Sequence, residues 1–162
     1  LGNGNEINQA SVPTRNKSAT RNRILGGDNL KMNLRVNFYD TDLMGVVHHA
    51  NYIRWFETGR VEYLRSLGID LNEMMSDGIV FPIVEIQAKY HSPAKFDDEL
   101  ELEIIPAAMT KVKWEFEYKI RKVGDEKILV EGFSRNVFTD VETGKIIRLP
   151  EKYFSKLEAA NK

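Results

Sequence analysis

The sequence predicts an α+β fold, with an antiparallel sheet of five or six strands curled around one long helix. Three observations lead there. One long stretch, 51–67, carries apolar residues at helical spacing. Several segments alternate apolar and polar residues, the pattern of strands with one buried and one wet face. In chain order a strand comes first, then the helix, then a run of strands joined by turns. That helix is the only large element available to cover the buried sheet face.

Residues 1–28 are rich in Asn, Ser, Thr, Gly and Arg and poor in apolar residues. They are expected to form a separate N-terminal arm, disordered or expression-derived, before a single domain over 29–162. The chain opens on Leu1 rather than Met. An added remnant is the first expectation, and a trimmed transit-type leader the second, because the arm is basic and contains Ser. From Lys31, the residues Met32, Leu34, Val36 and Phe38 alternate with Asn33, Arg35 and Asn37, predicting a half-buried strand. Tyr52, Phe56, Tyr63, Leu64 and Leu67, with Ile53 and Trp55 beside them, give the helix a broad apolar stripe. Gly68 stands where a glycine ends a helix. Gly59 in mid-helix costs about 1 kcal/mol against Ala, so close packing is its expected reason.

Asp70 to Ser76 predicts a short helix, with Asp70 and Glu73 at capping-box spacing. Further strands are predicted over 84–90, 99–104, 112–120, 128–139 and 146–149. Pro150 suits the first turn of a terminal helix over 150–160. An open sheet leaves edges, and pairing between copies removes that liability, so a homodimer or homotetramer is expected.

A chain of 162 residues can bury a real core, with roughly 70% of the unfolded surface removed from water. Its 42% apolar and 29% charged content is ordinary for a globular domain. A net charge of -1 gives no overall field for nucleic acid or anionic membrane, so neither is an expected partner. No apolar run approaches the ~20 residues of a membrane span. The absence of cysteine removes disulfides, thiolate catalysis and thiolate metal sites. It fits a reducing compartment: the cytoplasm, or an organellar matrix if the arm is a trimmed leader. Gly132-Phe133-Ser134-Arg135-Asn136 lacks the second glycine of a nucleophile elbow, which argues against an α/β-hydrolase. Gly2-Asn3-Gly4 lacks the third glycine of a dinucleotide loop, and no phosphate-binding Gly-x-x-x-x-Gly-Lys occurs.

The densest chemistry lies in Asp40-Thr41-Asp42-Leu43-Met44-Gly45-Val46-Val47-His48-His49-Ala50-Asn51-Tyr52. Two carboxylates, a glycine and two histidines sit where the first strand meets the long helix. A helix start presents unpaired N–H groups and a partial positive charge. A carboxylate beside it can act on a carbonyl whose oxygen those N–H groups polarise. Asp40 and Asp42 share a face in extended backbone. Adjacent helical side chains such as those of His48 and His49 point about 100° apart, so convergence with Asp42 on a metal is not expected.

These residues, with Phe38-Tyr39 before them and Arg54-Trp55-Phe56-Glu57 after, resemble the hotdog-fold acyl-CoA thioesterases. The nearest resemblance is to the 4-hydroxybenzoyl-CoA thioesterase-like branch. Tyr90-His91-Ser92-Pro93-Ala94 and Asp97-Asp98-Glu99-Leu100 resemble that family's second strand boundary, and the likeness spans about residues 30–148. It implies a hotdog fold and hydrolysis of an acyl-CoA to a carboxylic acid and CoA. Acyl carrier protein is the alternative thiol carrier, and no cofactor is implied beyond the CoA of the substrate.

It implies that Asp42 is the catalytic carboxylate, as nucleophile or as base for water, and that the His49 N–H holds the thioester oxygen. It implies that Gly45 keeps the loop tight for the substrate, and that Val47, His48, Asn51 and Tyr52 shape the pocket. The CoA arm is implied to run across a subunit boundary, and Met109, Thr110 and Lys111 lie in the turn region that the family uses near pantetheine or phosphate. Asp40 is expected to be structural, as is His91. Glu57, the helix carboxylate some hotdog thioesterases use, is expected to be structural here. Two other readings stay open: a non-catalytic acyl-thioester-binding module, and a hotdog enoyl-CoA hydratase or dehydratase.

Overall fold

In the computed structural model, which describes residues 24–25 and 28–160, the alternating segments form one antiparallel sheet. The strands are β1 (Ile24–Leu25), β2 (Leu30–Arg35), β4 (Ile83–Tyr90), β5 (Glu99–Met109), β6 (Lys113–Lys122) and β7 (Ile128–Val137). Their order is β1-β5-β6-β7-β4, and β2 also pairs with β5. β5 is long enough for two partners: β2 runs beside its first half, from Arg35 opposite Glu99 to Leu30 opposite Ile104. β1 takes its far end, with Ile24 opposite Met109. The β5–β6 register shifts between Pro106 and Met109, where proline lacks a ladder donor.

Even-numbered residues of β5 and β6 point to one face. Leu100, Leu102, Ile104, Trp114, Phe116, Tyr118 and Ile120 are all buried there. Across that face lies α1 (His49–Ser66), which buries Tyr52, Phe56, Arg60, Tyr63 and Leu64. Two glycines let the layers meet. A Cβ on Gly59 would lie 2.7 Å from Ile104 Cγ1, so close packing is indeed why glycine stands in mid-helix. A Cβ on Gly132 would lie 2.3 Å from Phe56 Cε2. The Phe56 ring therefore lies flat on the β7 backbone and stacks on Tyr118 with centroids 4.3 Å apart.

α2 (Leu71–Ser76) is capped by Asp70, whose carboxylate accepts from the Asn72 N–H at 2.8 Å. α3 (Glu151–Ala160) buries Tyr153, Phe154 and Leu157. Tyr153 donates its hydroxyl to Asp77, and Lys152 pairs with Asp77 and Glu73, which fixes α3 against the end of α2.

Several expected boundaries move. The first strand stops at Arg35, and Phe38 is 78% exposed instead of continuing the inward row. The cause is side-chain chemistry: Asp40 Oδ2 accepts from the Asn37 N–H and from Asn37 Nδ2, coiling Phe38–Asp40 into a three-ten turn. The strand over 128–139 breaks at Phe138. Its last part, β8 (Thr139–Asp140), pairs with β3 (Ile79–Val80) in a small sheet that periodicity does not reveal. The strand over 146–149 reduces to a single bridge between Ile146 and Thr139. Within the expected arm over 1–28, Ile24–Leu25 form β1, and residues 1–23 and 26–27 lie outside the described residues.

The outer sheet face carries charge ladders. Glu115 on β6 faces Arg135 on β7, with Nε 3.0 Å from its Oε1, and Lys113 Nζ lies 3.1 Å away. Glu115 is only 3% exposed. Burial alone would raise its carboxyl, but the two cations more than offset that and hold it below the usual carboxylate range. A lowered folded value means stabilisation above the unfolded value, lost as pH falls through the folded one. Glu115→Gln is therefore expected to lower the urea midpoint at neutral pH. The gap to wild type should close as pH drops below about 4. A gap that stays constant with pH would contradict the ion-pair role.

Candidate active site

Between β2 and α1 the chain makes a closed loop. Thr41 and Val47 form an isolated antiparallel bridge, so residues 42–46 stand out as a loop with joined ends. Inside it, the Asp42 N–H donates to the Val46 carbonyl at 2.9 Å, and the Gly45 N–H to the Asp42 carbonyl at 3.0 Å. Gly45 has φ 73°, a left-handed conformation that suits glycine. The Met44 N–H donates to Asp42 Oδ1 at 2.8 Å, an Asx turn that fixes the carboxylate. Asp42 Oδ2 has no hydrogen-bond partner among the described residues, and the side chain is half-buried. The carboxylate is thus held by one oxygen and free at the other.

Asp40 does the opposite. It is buried, and its carboxylate is committed to Asn37. Its carbonyl accepts from the His48 N–H at 2.8 Å and from Asn51 Nδ2 at 2.7 Å. Asp40 therefore ties the entry of the loop to the first turn of α1, the structural role expected of it.

At the helix start, His48 is the N-cap, and its Nδ1 accepts from the Ala50 N–H at 3.2 Å. Its ring stacks on that of His49, with centroids 4.2 Å apart. The His49 N–H opens α1 and makes no hydrogen bond among the described residues. It is an available donor at the positive end of the helix. The Thr41–Val47 bridge closes the loop one residue from Asp42 and two residues before His49, the first residue of α1.

The other expected residues divide between lining and support. Val47 is buried in the core, with its N–H on the Ala94 carbonyl at 2.9 Å. Asn51 is buried and committed to the Asp40 carbonyl, and its Oδ1 accepts from Arg54 at 3.0 Å. The buried Tyr52 accepts from the Ala94 N–H through its hydroxyl, which burial pushes above its ordinary pKa. His91 pairs with Glu131 at 2.9 Å. Glu57 lies on the exposed side of α1.

Thr110 and Lys111 are not brought to this junction within one chain. Thr110 Oγ1 caps the β5–β6 turn, and Lys111 pairs with Glu151 and lies over the Phe154 ring. They follow the last residue of β5, whereas the junction contacts Ala94 and Asp98 before its first. A strand of that length separates them by about 30 Å.

Sequence reasoning passes over one contributor. Tyr90, at the end of β4, donates its hydroxyl to the His49 carbonyl at 3.0 Å, pinning the first turn of α1 to the sheet. The only sequence signal was its place in the Tyr90-His91-Ser92-Pro93 boundary. Around the loop, Phe38, Tyr39, Leu43, Met44 and Phe96 are exposed, an apolar rim beside a carboxylate. Among the described residues, no three His, Cys, Asp or Glu side chains are grouped to hold a metal, and no helix is long and apolar enough to cross a membrane. A lone fixed carboxylate, a free helix-start N–H and an apolar rim suit addition to an activated carbonyl on an apolar group.

A family model described as the thioesterase-like superfamily matches residues 36–157, which includes the whole junction. The chain belongs to the thioesterase-like superfamily. Within this superfamily, an Aquifex aeolicus protein described as a candidate esterase is 30% identical over 124 residues, covering 76% of this chain and 94% of that one. The acyl-CoA thioester hydrolase YbgC of Escherichia coli O157:H7 is 36% identical over 70 residues, 43% of this chain and 52% of that one. Among solved structures, the hypothetical protein TT1821 of Thermus thermophilus superposes with a TM-score of 0.74 at 29% identity, covering 80% of this chain and 98% of that one. The architecture is the α+β hotdog fold of this superfamily.

Proposed function

We propose that this chain hydrolyses an acyl-CoA thioester to a free carboxylic acid and CoA. The observation that carries the reading is Asp42, held by one carboxylate oxygen in a closed loop, followed directly by a helix start whose His49 N–H has no partner among the described residues. Similarity to an acyl-CoA thioester hydrolase supports the substrate class.

The thioester oxygen accepts from the His49 N–H, and the helix end stabilises the negative charge that grows there. Asp42 Oδ2 either attacks the carbonyl carbon or takes a proton from the water that attacks it. The C–S bond then breaks, and the thiolate leaves with the bonding pair. In the nucleophilic route a single water then cleaves the acyl-aspartyl anhydride and frees Asp42; in the base route Asp42 returns the proton it took to the thiolate. Loss of one oxyanion donor typically costs about 2.7–4 kcal/mol in the transition state. Gly45 and the Asx turn hold the geometry, and no cofactor or metal enters the cycle.

A homodimer belongs to the same reading. β4 is a sheet edge with Ile83, Val84 and Tyr90 exposed, and a second copy pairing there would cover it. Thr110 and Lys111 would approach the junction only from another copy.

One assay tests the function: thiol release from short, long and aromatic acyl-CoAs. Release with stoichiometric acid is the expected result. Tight binding of the panel without release would make the protein an acyl-thioester-binding module. Addition of water to an enoyl-CoA without thiol release would make it a hydratase.

A further inference from the structure

Arg60 lies in the middle of α1 and is only 4% exposed. Its Nη1 donates to the Tyr118 hydroxyl at 3.0 Å, and that hydroxyl is paired to Ser134 Oγ at 2.7 Å. All three groups are buried between helix and sheet. No carboxylate pairs with Arg60 among the described residues, whereas Arg35, Arg65, Arg121 and Arg135 each have one. A guanidinium has five N–H donors, and a neutral phenol satisfies only one of them. The other guanidinium nitrogens make no hydrogen bond to the described residues. A charge held this deep without an anion is costly unless something completes it.

The surroundings point toward the junction. On β4 the inner-face residues are Tyr90, Ala88 and Ile86, opposite Val130, Gly132 and Ser134 of β7. α1 packs mainly over β5, so this edge of the inner face is only partly covered: Ile86 and Ala88 are half-buried and Tyr90 is exposed. One end of this apolar strip is fixed to the helix start by the Tyr90 hydroxyl on the His49 carbonyl. Its other end lies beside Ser134, next to the Arg60–Tyr118 pair. Along the axis Arg60 stands about 16 Å from His49, and helical side chains lean back over the preceding turn, leaving about 10 Å between the His49 amide and the guanidinium.

We propose that Arg60, held by Tyr118 and Ser134, binds a carboxylate at the far end of the acyl group, so that medium-length ω-carboxyacyl thioesters are the preferred substrates. The inference rests on the thioesterase reading and adds the acyl class to it. The thioester sits at the His49 N–H, the methylene chain lies along Ile86 and Ala88, and the terminal carboxylate meets the guanidinium. Charge complementarity selects this occupant, since an apolar chain end would leave the cation unpaired and a charged end supplies its missing anion. Tyr118 serves as a neutral holder, because burial raises its hydroxyl above the ordinary value despite the opposing effect of Arg60.

The test compares suberoyl-CoA with octanoyl-CoA, which have equal chain length and differ in the terminal carboxylate. In wild type, kcat/KM is expected to favour suberoyl-CoA by about tenfold or more, and Arg60→Gln to bring the ratio near one, chiefly through KM. Arg60→Lys should restore part of the preference, since it returns the charge without the planar fork. The ratio is read within each protein, so a loss common to both substrates cancels.

If Arg60→Gln fails to fold, the wild type alone decides. Adipoyl-, suberoyl- and sebacoyl-CoA should show one optimum of chain length, each compared with its uncharged counterpart. No preference for the charged end in wild type, or a preference kept in Arg60→Gln, overturns the proposal. A change in dimer dissociation with no change in substrate ratio would assign Arg60 to a partner carboxylate and overturn it as well. If no thioester is hydrolysed, the hydrolase reading fails, and calorimetric binding of the same two thioesters still decides the carboxylate site.

Discussion

Asp42→Asn is expected to lower kcat for thioester hydrolysis by about a thousandfold while leaving the fold intact. The expectation comes from what asparagine keeps. Its side-chain oxygen can still accept from the Met44 N–H, as Asp42 Oδ1 does at 2.8 Å. The turn closed by Gly45, the Val46 contact and the Thr41–Val47 bridge are backbone features that the substitution does not touch. What disappears is the negative charge on the free oxygen. An amide is neither a useful nucleophile nor a base, so both routes through Asp42 fail together. Circular dichroism and the thermal midpoint should match wild type. Near-wild-type thiol release from the variant would remove Asp42 from the chemistry, and a collapsed thermal midpoint would show a structural role instead.

Phe56→Ala should cost about 3–5 kcal/mol of stability, the range for truncating a fully buried aromatic ring. Phe56 is 0% exposed, stacked on Tyr118, and laid over Gly132. Gly132→Ala attacks the same contact from the other side. Its new Cβ would sit 2.3 Å from the ring, closer than any real carbon contact, and neither ring nor strand can move away freely. Overpacking of this kind costs about 1–3 kcal/mol. The two changes should not add. In the double variant the methyl enters the space the ring has left, so the combined loss falls below the sum by about 1 kcal/mol or more. Urea unfolding of the four proteins measures this directly. An additive double variant would mean that ring and glycine are not in contact, and with it the close seating of α1 on β7 would fall.

Much of this architecture follows from periodicity. The alternation through Val112 to Ile120 and the stripe from Tyr52 to Leu67 correspond to β6 and α1, because each element buries a single face. Gly59 was readable for the same reason: only contact with a neighbour explains glycine in mid-helix. The failures have physical causes too. Phe38 continues an alternating row, yet the Asn37–Asp40 side-chain bonds coil the chain before it is reached. β3 and β8 are two residues each, too short to carry any period.

At the junction, the motif implied different roles for Asp40 and Asp42; the Asp40 carboxylate is committed to Asn37, and the Asp42 carboxylate is held through one oxygen by the Met44 N–H. The contacts of Tyr90 and Arg60 were not legible. Their partners lie far away in the chain, His49 for one and Tyr118 for the other, and only folding brings them together.

The most direct measurement is steady-state thiol release by wild type, Asp42→Asn and His49→Ala on the acyl-CoA that wild type turns over fastest. The proposed chemistry assigns the carboxylate of Asp42 and the backbone N–H of His49, not its ring. It predicts that His49→Ala keeps its rate within about tenfold of wild type, while Asp42→Asn falls by about a thousandfold. A His49→Ala variant as dead as Asp42→Asn, or an Asp42→Asn variant more active than His49→Ala, would contradict it.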